Sequence, residues 1–404
     1  MERVISFIGL LVIVGFCFLL SPNKKKIDWR TVVSGILLQI VFGLIILKTT
    51  PGRMFFDGAK DVIGAILNYT NAGSNFVFGP LNDAAKLGFI FATMVLPTII
   101  FMSALMSVGY HIGIMQLVIK FVAKVMVKVM GTSGAESLAA AANIFAGQTE
   151  APLVIKPYIA LMTRSEMLAL MTGGMATVAG GVLAAYVGLG IDAGHLLAAS
   201  VMSAPAALVC AKLMLPETEH SVTKGKVEIT FEKNAANVID AAAMGASEGL
   251  QLAFNVAGML LAFIALIAMF NGILSWMGGW FNYSGLSLEL ISGYILAPVA
   301  WILGVPWNDC IAVGSLLGKK LILNEFVAYL DLQKQLTTLS PRAVIISTYA
   351  LCGFANFSSI GIQLGGIGTL APSRRKDLAE LGIKSLIAGT AACLMTAAIA
   401  GLMI

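Results

Sequence analysis

The sequence predicts an all-α polytopic membrane protein, and three observations support this fold class. Of the 404 residues, 58% are hydrophobic and only 12% are charged, against about 25% charged residues in ordinary soluble domains. The mean hydropathy is +0.90, so the chain has more apolar side-chain surface than a soluble protein of this length could bury in its core. The apolar runs are long and do not alternate, which favours membrane-spanning helices over barrel strands.

The order of these runs divides the chain into four segments with eight transmembrane helices in total. Residues 1–87 hold spans 1 and 2 of an N-terminal scaffold and an external loop. Residues 88–215 form a first repeat with span 3, an interfacial helix, a re-entrant helical hairpin, and spans 4 and 5. Residues 216–248 are a cytoplasmic linker ending in a short interfacial helix, and 249–404 form a second repeat with span 6, an interfacial helix, a second hairpin, and spans 7 and 8.

Basic residues predict how the chain is oriented. The run at 4–20 has the length of a signal peptide but no small-residue cleavage site, so we interpret it as a retained span. Residues 24–26 are all lysine and Arg30 follows, a dense basic loop that the positive-inside rule places in the cytoplasm. Both termini are therefore expected outside. Residues 51–86 are expected to be an external loop with a short amphipathic helix.

A lysine stripe marks the first interfacial helix. Lys120, Lys124 and Lys128 recur every four residues within 112–130, so they share one face of an otherwise apolar helix. Such a helix lies in the membrane interface. The alternative, a span with three lysines facing a pore, is less favoured because charged groups are costly at depth.

The polar cluster in residues 141–157 is the main candidate site in the first repeat. Gln148, Thr149 and Glu150 interrupt an apolar stretch, and a hairpin that enters and leaves on one side would place them near its tip. An ionisable group inside a membrane indicates a functional site. The alternative for an isolated glutamate is a carboxylate at the membrane surface.

Span 4 carries an interruption at 176–181, where Thr177 precedes two adjacent glycines. This pattern is typical of a broken helix whose free carbonyl oxygens can bind a cation. The alternative, a close helix–helix contact built on small residues, fits this stretch equally well.

The second half repeats the order of the first at offsets of 174 to 179 residues. Glu150 aligns with Glu325 and Arg164 with Arg342, although the sequences themselves differ. The corresponding second-half elements are an interfacial helix at 286–304, a hairpin at 306–332, and a broken span at 341–368 interrupted at 354–359. Three crossings separate equivalent elements, so the two repeats are inverted, which is typical of secondary transporters.

The candidate residues suit a neutral ligand. Gln148, Thr149, Asn356 and Ser359 offer hydrogen-bond donors and acceptors, and we expect no basic partner at this depth. The set favours a polyhydroxylated or heterocyclic substrate over a phosphate or an amino acid. Asn143, with hydroxyl and carbonyl oxygens around Thr177, would make an all-oxygen site for a monovalent cation such as sodium.

Three segments carry a resemblance to a known family. They are Gly-Gln-Thr-Glu-Ala-Pro at 147–152, Asn-Glu-Phe-Val-Ala-Tyr at 324–329 and Gly-Phe-Ala-Asn-Phe-Ser-Ser-Ile at 353–360. Ser-Pro-Arg-Ala at 340–343 fits as well. The chain resembles the concentrative nucleoside transporters over its whole length, and among them the bacterial sodium-coupled members.

The resemblance implies a homotrimer in a bacterial inner membrane that carries nucleosides such as uridine, cytidine and adenosine. It implies a nucleobase site at Gln148, Thr149 and Glu150 with Val182 packed beside it, and a ribose site at Glu325, Asn356 and Ser359 with Phe354 alongside. It implies sodium ligands at the side chains of Asn143 and Thr177 and the carbonyl oxygens of Ala146 and Val178. Many relatives have serine at the position of Thr177, and threonine keeps the hydroxyl.

Other functions stay open at this point. A proton-coupled nucleoside symporter acting through Glu325 is the main alternative, and a passive channel would share the same polar lining. An intramembrane enzyme with Glu150 and Glu325 as an acid pair is disfavoured because buried carboxylates in spans are typical of transport pathways. The net charge of +5 reflects loop residues and gives no reason to expect nucleic acid. No cofactor is expected beyond sodium as the coupling ion.

Overall fold

The computed structural model describes residues 1–225, 235–280 and 285–404, and in these ranges the regular structure is helical. The first half contains α1 Glu2–Leu19, α2 Trp29–Lys48, α3 Thr50–Phe78, α4 Ala84–Leu87, α5 Phe91–Met94, α6 Leu96–Ile112, α7 Ile114–Met130, α8 Gly134–Ala142, α9 Lys156–Ile159, α10 Arg164–Ala176, α11 Gly180–Gly188 and α12 Ala193–Met214. The second half contains α13 Val238–Gly279, α14 Leu288–Ile302, α15 Cys310–Ile322, α16 Glu325–Gln335, α17 Pro341–Leu351, α18 Phe357–Leu370 and α19 Arg375–Met403.

The all-α membrane fold is confirmed. Among the described residues, seven helices or helix pairs are long and apolar enough to cross a membrane, namely α1, α2, α5–α6, α10–α11, α12, α13 and α19. The pair α17–α18 is interrupted in its middle, and with it the arrangement is consistent with the eight expected spans. The shorter pairs α8–α9 and α15–α16 lie where the two hairpins were predicted, and their lengths are consistent with that prediction.

The segment after span 2 is more regular than the sequence suggested. The expectation of a loop with a short helix is wrong, because α3 runs unbroken for 29 residues. Its first turn explains the difference. The Thr49 hydroxyl accepts a hydrogen bond from the Gly52 amide at 3.1 Å, and Pro51 occupies a first-turn position where a missing N–H costs nothing. Proline therefore starts a helix here.

A second difference concerns span 6. The interfacial helix expected at 237–248 and the following span are one continuous helix, α13, of 42 residues. A Cβ on Gly245 would lie 2.5 Å from the Ser107 Cβ, and one on Gly249 would lie 2.7 Å from the Ser103 Cβ. Because these glycines allow α13 to approach α6 closely, they mark a helix–helix contact and not the end of a helix.

Both segments predicted as interfacial helices are helical, and their position at the interface stays a prediction. On α7 the three lysines are exposed, while Ile119, Ala123, Met126 and Met130 on the other face are buried. The second helix, α14, has 15 residues and so extends about 22 Å, short of a bilayer core of about 30 Å. Its length therefore favours the position that the repeat predicted over the one that hydropathy suggested.

The interior of the molecule is formed by α10, α12, α17 and α19, of which α12 and α19 are buried along most of their length. Of the N-terminal helices, α1 packs on α19 and α2 packs on α12. The assignment of residues 1–87 to a scaffold stays a prediction.

The described part of the linker, up to Gly225, packs against the base of the first hairpin. The Gly134 amide donates to the Thr223 carbonyl oxygen at 2.9 Å, and the Ser221 hydroxyl donates to the Glu166 carboxylate. Lys212, at the end of α12, forms a buried ion pair with Glu136 of α8 at 2.8 Å. The linker thus joins the hairpin base to spans 4 and 5, a role that its polar sequence did not indicate.

Candidate functional site

Both hairpins turn at a short non-helical segment. The first arm α8 ends at Ala142, and the chain then turns through residues 143–150, so the polar cluster lies at the tip as predicted. In the second hairpin α16 begins at Glu325, and the Asn324 side chain caps it by accepting a hydrogen bond from the Val327 amide at 3.0 Å. Each tip therefore presents polar groups from irregular backbone.

The breaks in the two interrupted spans lie against each other. The first covers 177–179, inside the predicted interval, and the second covers 352–356, two residues earlier than predicted. The Asn356 side chain accepts a hydrogen bond from the Ser359 amide at 2.9 Å, and this cap starts α18 at Phe357. The Phe354 amide donates to the Thr177 carbonyl oxygen at 3.2 Å, so the breaks are directly bonded.

Gly353 makes this approach possible. Its φ of +151° is a backbone conformation that residues with a side chain rarely adopt. A Cβ there would lie 2.6 Å from the Cys393 sulfur and 2.9 Å from the Ala176 carbonyl carbon. Only glycine fits where the two breaks touch.

The Glu325 carboxylate is the centre of the second half of the site. It is 4% exposed and accepts two hydrogen bonds, from the Tyr186 hydroxyl at 3.1 Å and from the Asn356 side-chain amide at 3.0 Å. Tyr186 belongs to α11 of the first repeat, so one carboxylate joins the second hairpin to both broken spans. Each oxygen can still accept a further bond from a ligand hydroxyl.

Amide side chains connect the first hairpin tip to α18. The Gln148 amide nitrogen donates to the Ser359 hydroxyl at 3.1 Å, and the Gln148 oxygen accepts from the Gln363 amide at 3.1 Å. Gln363 also donates to the Met171 carbonyl oxygen at 2.9 Å. The predicted base residue Gln148 and the predicted ribose residue Ser359 are therefore in direct contact.

Thr149 and Glu150 are exposed at the tip, in contrast to Gln148. The Glu150 carboxylate accepts a hydrogen bond from the Gly147 amide at 3.0 Å and faces a cavity of about 360 Å³. That cavity lies between the first hairpin and the packed pair α6 and α13, and Glu248 of α13 lines it as well. Its volume is in the range of small-molecule sites.

The two apolar residues of the predicted set differ in exposure. Val182 is buried on α11, and Phe354 is half-buried in the second break. Both lie within a few residues of a group that contacts Glu325, since Val182 precedes Tyr186 by one helical turn and Phe354 precedes Asn356.

The predicted sodium ligands have the properties that a cation site requires. Asn143 is 1% exposed, and neither its side-chain oxygen nor its nitrogen has a hydrogen-bond partner among the described residues. A Cβ on Gly173 would lie 2.9 Å from the Asn143 nitrogen, and the Thr177 hydroxyl donates to the Gly173 carbonyl oxygen at 2.9 Å. These two side chains therefore meet at the same turn of α10.

The carbonyl oxygens of Ala146 and Val178, the other two predicted ligands, accept no hydrogen bond within the described ranges. Buried oxygens without partners are costly unless something else binds them. A hard monovalent cation with oxygen ligands fits this group of residues.

Three residues of the site were missed by the sequence analysis: Tyr186, Gln363 and Lys320. Lys320 corrects the expectation that no basic side chain lies at this depth. It is 2% exposed, and its ammonium group donates to the Ala350 carbonyl oxygen at 2.8 Å. A polar residue inside an apolar run is the signal that could have identified Gln363.

Comparison with family models gives three adjacent matches. Residues 8–81 match the N-terminus and residues 195–401 the C-terminus of the Na+ dependent nucleoside transporter model, and residues 92–192 match a model described as Gate, nucleoside recognition.

Individual proteins are similar over the whole chain. The chain is 50% identical to an uncharacterized transporter of Haemophilus influenzae, covering 99% of this chain and 97% of that protein. It is 45% identical to human sodium/nucleoside cotransporter 1, covering 100% of this chain and 64% of that protein. A solved structure of CNTnw in an inward-facing substrate-bound state is 46% identical with a TM-score of 0.94, covering 100% of this chain and 98% of that one. A CNTnw variant in an outward-facing state gives the same score and coverage.

Proposed function

The chain belongs to the Na+-dependent, concentrative nucleoside transporter family, and from this premise we propose that it imports nucleosides by sodium symport. As a member of this family it is a transporter and not an enzyme. The observation that carries the proposal is the convergence of both hairpin tips and both helix breaks on one polar site, with Glu325 bonded to both repeats.

For the substrate, we infer a base end and a ribose end. Gln148, Thr149 and Glu150 at the first tip would contact the nucleobase, with Val182 packed against it. Glu325, Asn356 and Ser359 would hold the ribose hydroxyls, with Phe354 alongside, because a carboxylate accepts from hydroxyl groups. The neutral amides suit uridine, cytidine and adenosine alike.

For the ion, we infer that Asn143 and Thr177 bind sodium through their side chains and Ala146 and Val178 through their carbonyl oxygens. The support is that, among the described residues, neither polar atom of the Asn143 side chain and neither of these two carbonyl oxygens has a hydrogen-bond partner. The family match is to a sodium-dependent model, and these matches give no support to the proton-coupled alternative.

The proposed cycle is alternating access. Sodium and nucleoside would bind from outside, and the hairpin-bearing core would then move against a static scaffold in a homotrimer until both face the cytoplasm. The basic loop at 24–26 and the one at 374–376 support an orientation in a bacterial inner membrane with both termini outside. The membrane potential would add roughly 2.3 kcal/mol per charge at 100 mV.

The experiment that tests this function is uridine uptake by the purified protein in proteoliposomes. A sodium gradient and a proton gradient are imposed separately at matched membrane potential. Uptake that follows sodium, and that Glu325→Gln abolishes, is the expected result. Uptake driven only by protons would refute the proposed sodium site at Asn143 and Thr177. The absence of nucleoside uptake under either gradient would refute the proposed function.

A further inference from the structure

The two repeats place different groups at the same point. In the first repeat, Asn143 at the end of the first hairpin arm faces Gly173 near the end of the broken half-helix α10, as a Cβ on Gly173 would lie 2.9 Å from the Asn143 nitrogen. In the second repeat, Lys320 near the end of α15 faces Ala350 near the end of α17, with 2.8 Å between the ammonium nitrogen and the carbonyl oxygen. Lys320 follows Asn143 by 177 positions, and Ala350 follows Gly173 by the same number, which lies within the offsets of 174 to 179 residues between the repeats.

The chemistry at these equivalent points is complementary. The Asn143 side chain is buried, and neither of its polar atoms has a hydrogen-bond partner among the described residues. Lys320 is equally buried, but it brings its own positive charge to the carbonyl end of a half-helix, where the helix dipole favours a cation. The first repeat offers oxygen ligands to a cation, whereas the second supplies a cation itself, as the ammonium group of a side chain.

We propose that the Lys320 ammonium is a built-in cation, which occupies in the second repeat the place that exchangeable sodium takes in the first. This inference rests on the proposed sodium site at Asn143 and Thr177. It assigns Lys320 a positioning role: the ammonium group holds the end of α17 without touching substrate.

One consequence follows for coupling. One cation position is filled by the chain itself, so we expect the chain to transport one sodium ion per nucleoside.

The test measures how sodium stabilises the purified protein, using melting temperature in sodium chloride against choline chloride. Raising sodium from about 1 to about 100 mM should raise the melting temperature of the unmodified protein by about 2 °C or more. Asn143→Leu should lose this sodium-dependent rise. Adding Lys320→Asn to Asn143→Leu should restore it, because an asparagine at 320 gives the second repeat the side-chain amide that Asn143 supplies in the first.

Two further variants serve as controls. Lys320→Arg keeps a cation and should behave as the unmodified protein does. Lys320→Met, of similar length but without charge or oxygen, should lower the melting temperature and gain no sodium response. In proteoliposomes, the ratio of sodium to uridine transported should be one for the unmodified protein and approach two for Lys320→Asn.

The possible outcomes separate the two proposals. If the unmodified protein shows no sodium-dependent rise, or Asn143→Leu retains it, the sodium site of the proposed function is wrong. If Asn143→Leu removes the rise and Lys320→Asn does not restore it, only the built-in cation is refuted. A Lys320→Asn protein that fails to fold even in molar sodium also refutes it, because a bound ion should replace the ammonium group.

Discussion

Replacing Gln363 should weaken base recognition although Gln363 lies behind the residues predicted to touch the base. Its side chain is fully buried and donates to Gln148 at 3.1 Å and to the Met171 carbonyl oxygen at 2.9 Å. Gln363→Met keeps the length of the side chain and removes both bonds. The Gln148 oxygen then loses its donor, and its amide group is free to rotate away from the orientation that the base requires.

The magnitude follows from these contacts. A hydrogen bond of this kind contributes about 1 kcal/mol, and a buried acceptor left without a donor costs about 1–3 kcal/mol. Removing the Gln363 oxygen, which has no hydrogen-bond partner within the described ranges, offsets part of the loss in stability. We therefore expect a small change in melting temperature but uridine binding weaker by about 1–2 kcal/mol, or about 5- to 30-fold.

The assay is equilibrium binding of uridine, cytidine and adenosine to the purified protein, since disturbed base contacts should also change the ratios among the three affinities. Gln39→Met is the matched control. Gln39 is just as buried, but its amide contacts Gly35 and Met395, away from the hairpin tips, so its replacement should leave all affinities within about twofold. Unchanged affinities and ratios in Gln363→Met, or losses equal to those in Gln39→Met, would refute a positioning role for Gln363.

Three other changes test the site by independent routes. Glu325→Gln replaces one of the two oxygens that accept hydrogen bonds from Tyr186 and Asn356 with an amide nitrogen, which cannot accept. Nucleoside affinity, measured by the same binding assay, should therefore weaken by at least about tenfold. Unchanged affinity would contradict the ribose assignment. Gly353→Ala should destabilise the fold by about 2–4 kcal/mol in thermal unfolding, whereas Gly361→Ala, where nothing lies within 4 Å, should not. Met244 and the linker residue Ala235 both line the cavity, so Met244→Cys should react with a membrane-impermeant thiol reagent from the linker side. Ala253→Cys, buried on the same helix, and the five buried native cysteines should not react, and equal labelling of both variants would contradict access through the cavity.

The sequence predicted the architecture because the membrane restricts the choices. Backbone in the bilayer must be helical unless protein surrounds it, so glycine, proline and carboxylates in apolar runs were enough to locate both hairpins and both breaks. The repeat also predicts α14 at the interface, where hydropathy alone favours a span, and its length of 15 residues is consistent with that prediction. The same reasoning failed at Gly245 and Gly249, since a helix contact and a helix break use the same small residue.

The contacts within the site could not be predicted in the same way. The bond between Tyr186 and Glu325 joins residues 139 positions apart, and that between Gln363 and Gln148 joins residues 215 positions apart. Neither pair shares a motif. Lys320 was overlooked because its burial depends on a hydrogen bond to the Ala350 carbonyl oxygen. An alanine in the sequence does not indicate that its backbone carbonyl oxygen binds a lysine.

Coupling between ion and nucleoside can be traced through the contact of the two breaks. Thr177 supplies a proposed sodium ligand, and its carbonyl oxygen binds the Phe354 amide, two residues before Asn356 and its bond to Glu325. One backbone hydrogen bond is worth about 1 kcal/mol, which corresponds to about fivefold in affinity, the lower end of typical coupling. Any stronger coupling must come from ordering of residues 143–150, because the proposed ion site contains Asn143 and Ala146 and the proposed base site begins at Gln148. The first hairpin tip is therefore the segment whose order both ligands should share.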